Sequence, residues 1–245
     1  MPSLRSLGSR LLALAAAAVL VGAARADDPP PLRVLFVGNS YTYVNDLPKM
    51  VAALAKAGNQ RPLEYDRQTS GGWTFEKHVK DGKAVKKMAA KTWDYVVLQE
   101  QSLRPIQEPA LMAEFGKRLS AEAQKHGAKT LLYLTWAREN TPDTQPALTK
   151  AYRELAKDTK AAVAPVGEAW RAVLKADPAA GLHAADKSHP TKKGTYLSAC
   201  VFYATLYGKS PEGLSGAAAD LSDADARKLQ VAAWRAVEGE RKGGS

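Results

Sequence analysis

Cysteine is nearly absent from this chain. Cys200 stands alone among 245 residues. One cysteine closes no internal disulfide, so the packed core must hold the fold. Histidine is almost as scarce. His78, His126, His183 and His189 are scattered and none has a thiol near it, so no metal-ligand spacing is present. The six lysines between Lys77 and Lys91 have no stacking aromatics interleaved with them. They read as the solvated face of an amphipathic helix, and a nucleic-acid surface is not expected. No internal repeat divides the chain. No apolar run reaches the roughly 20 residues that a membrane-spanning helix requires.

The chain begins with a leader-like segment. Arg5 and Arg10 precede an apolar stretch from Leu11 to Val21, and Ala24-Arg25-Ala26 follows as a small-x-small sequence. This layout predicts a secretory signal peptide over residues 1–26, cleaved after Ala26, and an exported protein, periplasmic or secreted, with no stable membrane insertion. Loss of its three arginines lowers the formal charge from +10 to +7. Residues 27–31 hold three prolines and are expected to form a disordered mature N-terminus. Residues 32–241 are expected to form one domain, large enough to bury a core without staples.

Within that domain, strand and helix patterns alternate. Strands are expected at Leu32–Val37, Leu63–Arg67, Tyr95–Leu98, Thr130–Thr135 and Ala162–Val166. Helices are expected at Leu47–Ala57, Phe75–Ala90, Pro109–His126, Gln145–Lys160, Lys193–Tyr207 and Ser222–Arg241. Such alternation implies an α/β fold with a mostly parallel five-stranded sheet covered on both faces. Ligands then bind at the carboxyl ends of the strands.

Four polar or glycine-rich loops follow strand ends. Gly38-Asn39-Ser40-Tyr41-Thr42 puts a hydroxyl just beyond the first strand. The loop with Gly71-Gly72 offers backbone N–H groups that can approach a ligand. Gln99-Glu100-Gln101-Ser102 offers neutral amide donors, and strand alternation points Gln99 and Gln101 the same way. Asp186 and His189 lie three residues apart before Pro190. An aspartate so placed fixes the imidazole tautomer and leaves the other ring nitrogen free to take a serine proton. These are the parts of acyl transfer by a serine nucleophile: Ser40, with His189 as base and Asp186 as its orienting carboxylate.

The chain resembles the SGNH hydrolases, or GDSL-type esterases and lipases, from Leu32 to about Tyr207. Gly38-Asn39-Ser40-Tyr41-Thr42 matches the nucleophile block, with Asn39 where Asp is commoner. Gly72-Trp73-Thr74 matches the second block and Asp186-Lys187-Ser188-His189-Pro190 the last. The third block departs: Gln99-Glu100-Gln101-Ser102 replaces Gly-x-Asn-Asp and is similar to a version found in carbohydrate acetylesterases. The resemblance implies a flavodoxin-like, three-layer α/β/α fold and a Ser-His-Asp triad of Ser40, His189 and Asp186. It also implies an oxyanion hole of Ser40, Gly72 and Gln99, with Gln101 as the rival donor. No cofactor and no metal are expected. The expected partner is a small-molecule or carbohydrate ester; Trp73 and Trp136 follow strand ends and either stack on a sugar or form edges of the core. A non-catalytic carbohydrate- or surface-binding protein on the same fold is the alternative.

Overall fold

The computed structural model describes residues 29–243. The expected leader, residues 1–26, lies outside them. The expected N-terminal tail, residues 27–31, lies partly outside them.

The five strands are β1 (Leu32–Gly38), β2 (Leu63–Thr69), β3 (Tyr95–Leu98), β4 (Lys129–Tyr133) and β5 (Ala162–Ala164). All pair in parallel, in the order β2-β1-β3-β4-β5. This is the flavodoxin-like order, and it reverses between β1 and β3. At that switch point the connections leave in opposite directions, which opens a crevice beyond the carboxyl ends of β1 and β3.

Ten helices cover the sheet among the described residues: α1 (Ser40–Tyr43), α2 (Leu47–Ala57), α3 (Phe75–Asp81), α4 (Lys83–Ala90), α5 (Arg104–Gln107), α6 (Pro109–Lys125), α7 (Gln145–Thr159), α8 (Val166–Ala176), α9 (Lys192–Tyr207) and α10 (Asp223–Gly243). Successive residues of β1 point to opposite faces. Val34 and Phe36 pack with α2, α8, α9 and α10. Leu35 and Val37 pack with α3, α4, α6 and α7. Both faces are dry, so the central strands are apolar throughout rather than alternating.

The expected elements recur with four differences. The helix expected over Phe75–Ala90 is broken at Gly82, whose φ of +74° ends α3 and starts α4. Gly82 tolerates this left-handed angle because it has no Cβ. The last strand stops at Ala164, and the chain turns at Pro165 into α8, which was not expected. The single turns α1 and α5 are too short to carry a periodic signal.

The lysine-rich stretch is largely neutralised by neighbouring acids. Lys80 pairs with Glu76, Lys83 with Asp81, Lys87 with Asp66 and Lys91 with Glu64, at 2.6–2.9 Å. No helix among the described residues is long and apolar enough to cross a membrane.

α8 starts against the sheet because Gly167 allows it. A Cβ there would lie 2.2 Å from the Thr135 carbonyl oxygen and 2.3 Å from Gln145 Nε2. Gly167→Ala is expected to destabilise the fold by about 1–3 kcal/mol, the usual range for overpacking a rigid contact. Urea denaturation measures it, and an unchanged midpoint would contradict this account of the packing.

Candidate active site

β1 ends at Gly38, and Asn39 caps the single turn α1 by accepting the Tyr41 N–H through Oδ1 at 3.1 Å. This places Ser40 at the first helical position, where its N–H has no intrahelical acceptor. The turn is fixed by three hydrogen bonds from two buried side chains, Gln99 and His78. Gln99 Oε1 accepts the Asn39 N–H at 2.9 Å and the Thr42 hydroxyl at 3.0 Å. His78 Nε2 donates to the Gly38 carbonyl at 2.8 Å. Burial holds the His78 pKa below its ordinary value, which keeps the ring neutral. Gly38 must be glycine here, since a Cβ would fall 2.5 Å from Gln99 Oε1.

The sequence-predicted residues Ser40, Asp186 and His189 are brought together across almost 150 positions. Ser40 Oγ lies 2.7 Å from His189 Nε2. His189 Nδ1 hydrogen-bonds Asp186 Oδ2. The other carboxylate oxygen, Oδ1, accepts the N–H groups of Ser188 at 3.0 Å and His189 at 2.9 Å. One carboxylate therefore shapes the turn and orients the ring. The side-chain hydrogen bond from His189, then the two backbone N–H groups, hold the Asp186 pKa down at about 2. Asp186 is thus an anion throughout the neutral range.

Sequence reasoning missed the residues that align the two loops. The Tyr41 hydroxyl lies 2.7 Å from Ser188 Oγ, and Asn45 Nδ2 donates to the Pro190 carbonyl at 3.1 Å. These bonds bracket His189 on both sides. Trp136 donates its Nε1–H to the Ser188 carbonyl at 3.0 Å. Tyr41, Trp136 and Trp170 form one stack, with centroid separations of 4.4 and 4.0 Å. Trp136 is 1% exposed. It therefore supports the His189 loop from below, which is the core-edge alternative, and is not free to stack on a sugar. Trp73 is half-buried and packs its edge against His78. The one sequence signal for these residues was adjacency: Tyr41 follows Ser40 and Ser188 precedes His189.

The third-block expectation needs correction. Gln99 is fully buried. Its oxygen holds the nucleophile turn, and its Nε2 donates to the Glu100 carbonyl. The Asn39 N–H demands an acceptor, which fixes the orientation of the amide. Gln99 is thus a clamp beneath Ser40 and presents no donor to the crevice. Gln101 is half-exposed, and its Oε1 accepts the N–H groups of Leu103 and Arg104 at 2.8 and 3.1 Å. Its Nε2 has only a long contact, 3.4 Å, to Ser102 Oγ. Gly72 lies in an exposed turn at φ +66°. That turn is tied to the nucleophile turn by Ser70 N–H to Gly38 O at 3.3 Å and Asn39 Nδ2 to Trp73 O at 2.9 Å. Among the described residues, no cluster of side chains suited to a metal ion is present. Two cavities, of about 640 and 780 Å³, lie against α10 and include none of these residues.

Glu100, beside the clamp, is 1% exposed. It accepts the Phe75 N–H at 3.1 Å and the Gln101 N–H at 2.6 Å. Burial outweighs those bonds and raises its pKa to about 7. Between the ordinary carboxylate value and about 7, the folded protein holds a proton that the unfolded chain has released. The contribution of Glu100 to folding stability therefore falls as pH rises through that interval. Glu100→Gln is expected to flatten the decline between about pH 5 and pH 7 by roughly 1–3 kcal/mol. Chemical denaturation at several pH values measures this, and identical slopes in parent and variant would contradict it.

No protein-family model matches the chain, and no curated protein does. Solved structures do. A protein from Slackia heliotrinireducens, described as a candidate SGNH hydrolase, is 29% identical, with a TM-score of 0.62 over 72% of this chain and 99% of that one. A DUF4886 family protein from Bacteroides uniformis superposes with a TM-score of 0.73 at 16% identity, over 85% of this chain and 95% of that one. An acetylxylan esterase from Geobacillus stearothermophilus gives 0.59 at 18% identity, over 71% and 94%. The chain shares the three-layer α/β/α fold of these structures, and in sequence it is similar to the candidate SGNH hydrolase at 29% identity.

Proposed function

We propose that the protein is a serine esterase that cleaves acetyl or other short acyl esters. The observation that carries this reading is the continuous contact from Ser40 Oγ through both nitrogens of His189 to Asp186. A serine hydroxyl is a weak nucleophile until a base lies within hydrogen-bond reach, and here one does.

In the proposed reaction, Ser40 Oγ bonds to the ester carbonyl carbon as its proton passes to His189 Nε2. The carbonyl electron pair moves onto the oxygen, giving a tetrahedral oxyanion. The pair returns, the carbon–oxygen bond to the alcohol breaks, and His189 gives its proton to that alcohol. Water then repeats the sequence on the acyl-serine, releasing the acid and restoring Ser40. Asp186 remains ionised and stabilises the imidazolium. The N–H groups of Ser40 and Gly72 receive the oxyanion. Gln101 takes the side-chain role first assigned to Gln99.

An acetylxylan esterase among the structural neighbours supports a carbohydrate alcohol, as does half-buried Trp73. The layout of residues 1–26 supports export.

Ser40→Ala is expected to lower hydrolysis of a short-chain nitrophenyl ester by at least about 10³-fold and to abolish labelling by a fluorophosphonate. Equal turnover by parent and variant would overturn the assignment. Asp186→Asn is expected to cost about 10²- to 10⁴-fold in kcat, because the imidazole loses the partner that fixes its tautomer. Steady-state kinetics on the same ester reads this.

A further inference from the structure

Arg138 is a partly buried cation without an acid. Among the described residues Arg61, Arg104 and Arg138 are the half-buried arginines. Arg61 has Asp94 at 3.4 Å. Arg104 is held by Glu76 at 2.8 Å and Glu108 at 2.6 Å. No carboxylate lies within ion-pair distance of Arg138 among those residues. Its one hydrogen bond runs from Nη2 to Ser102 Oγ at 3.0 Å, and its Nε–H is buried with no partner. A charge withdrawn from water is ordinarily paired, so an unpaired one needs a reason.

Its position supplies that reason. Arg138 belongs to the segment following β4. Trp136 Nε1 reaches the Ser188 carbonyl, and the Glu139 N–H donates to the Lys187 carbonyl at 2.9 Å. The segment therefore runs alongside the loop that carries His189. The guanidinium reaches across to Ser102, on the loop that follows Gln99. It spans the His189 loop and the third-block loop, at the same edge of the sheet as Ser40. The acid of that loop, Glu100, is engaged by the Phe75 and Gln101 N–H groups.

We propose that Arg138 binds a carboxylate of the substrate, so that the preferred ester is an anionic one. This rests on the serine-esterase reading of the Ser40 site. A planar guanidinium held by Ser102 is preorganised for a carboxylate, and its Nη1 N–H groups, neither buried nor hydrogen-bonded, are left to donate to one. The carboxylate belongs either to the alcohol part, as in an ester on an acidic sugar, or to the acyl part.

Matched pairs of esters separate these sources. Phenyl acetate and 3-acetoxybenzoate differ by a carboxylate on the alcohol. Dimethyl and monomethyl adipate differ by one on the acyl part. The charged member of one pair is expected to have the higher kcat/KM, by about ten-fold or more, as a charge-assisted hydrogen bond supplies. Arg138→Gln is expected to remove that preference, and Arg138→Lys to restore part of it. A second readout needs no turnover. Calorimetry on the Ser40→Ala protein is expected to show binding of the charged ester weakened about ten-fold by adding R138Q. No charge preference, a preference that survives R138Q, or equal binding with and without Arg138 would overturn the inference. Hydrolysis undiminished by Ser40→Ala would instead overturn the esterase reading and leave the binding comparison as the test of Arg138.

Discussion

The site depends on one buried amide. Gln99 Oε1 takes two donors, the Asn39 N–H and the Thr42 hydroxyl, from the turn that carries Ser40. β3 is paired with β1 through Val37↔Leu98, so Gln99 emerges beside the end of β1. Sheet register thus becomes loop geometry without any flexible intermediary. Gly38 is part of the same constraint, because only a residue without a Cβ lets the amide come so close. Removing the Gln99 amide would leave two buried donors unsatisfied, each costing about 1–3 kcal/mol.

A second constraint aligns the histidine with the serine. Two loops from distant parts of the chain must meet within a fraction of an ångström. Tyr41 and Asn45 achieve this by bonding to Ser188 and Pro190, on either side of His189. Asn45 adopts φ +55°, an angle that asparagine tolerates better than most residues. Beneath them, the stack of Tyr41, Trp136 and Trp170 is rigid and dry. The indole N–H of Trp136 still finds a partner in the Ser188 carbonyl, so this burial leaves no polar group unpaired. The stack is therefore both a core element and the floor of the site.

Much of this was legible from residues alone. Period-two and period-3.6 patterns located the five strands and the longer helices. The four polar loops could be assigned to strand ends, and parallel topology put those ends together. Asp186-x-x-His189 was readable because three-residue spacing brings the two side chains into contact in a tight turn. Three things were not legible. α8 follows β5 at once, and the short strand masked its start. Trp136 could be read as a platform or as a core edge, because its burial depends on Tyr41 and Trp170, which are far away in sequence. Gln99 and Gln101 could not be separated by strand alternation, because β3 ends at Leu98 and the chain turns immediately beyond it.

That last ambiguity explains how the third block departs from the commoner pattern. A side chain cannot both hold the nucleophile turn from below and donate to an oxyanion above it. In this chain Gln99 takes the first task, and Glu100 beside it anchors the start of α3 and the Gln101 backbone. Two consecutive positions are thus committed to structure, so in the proposed reaction a side-chain donor comes from farther along the loop. Gln101 is the first side chain there with an amide hydrogen not already held by the fold, and its oxygen, capping Leu103 and Arg104, fixes where that amide points.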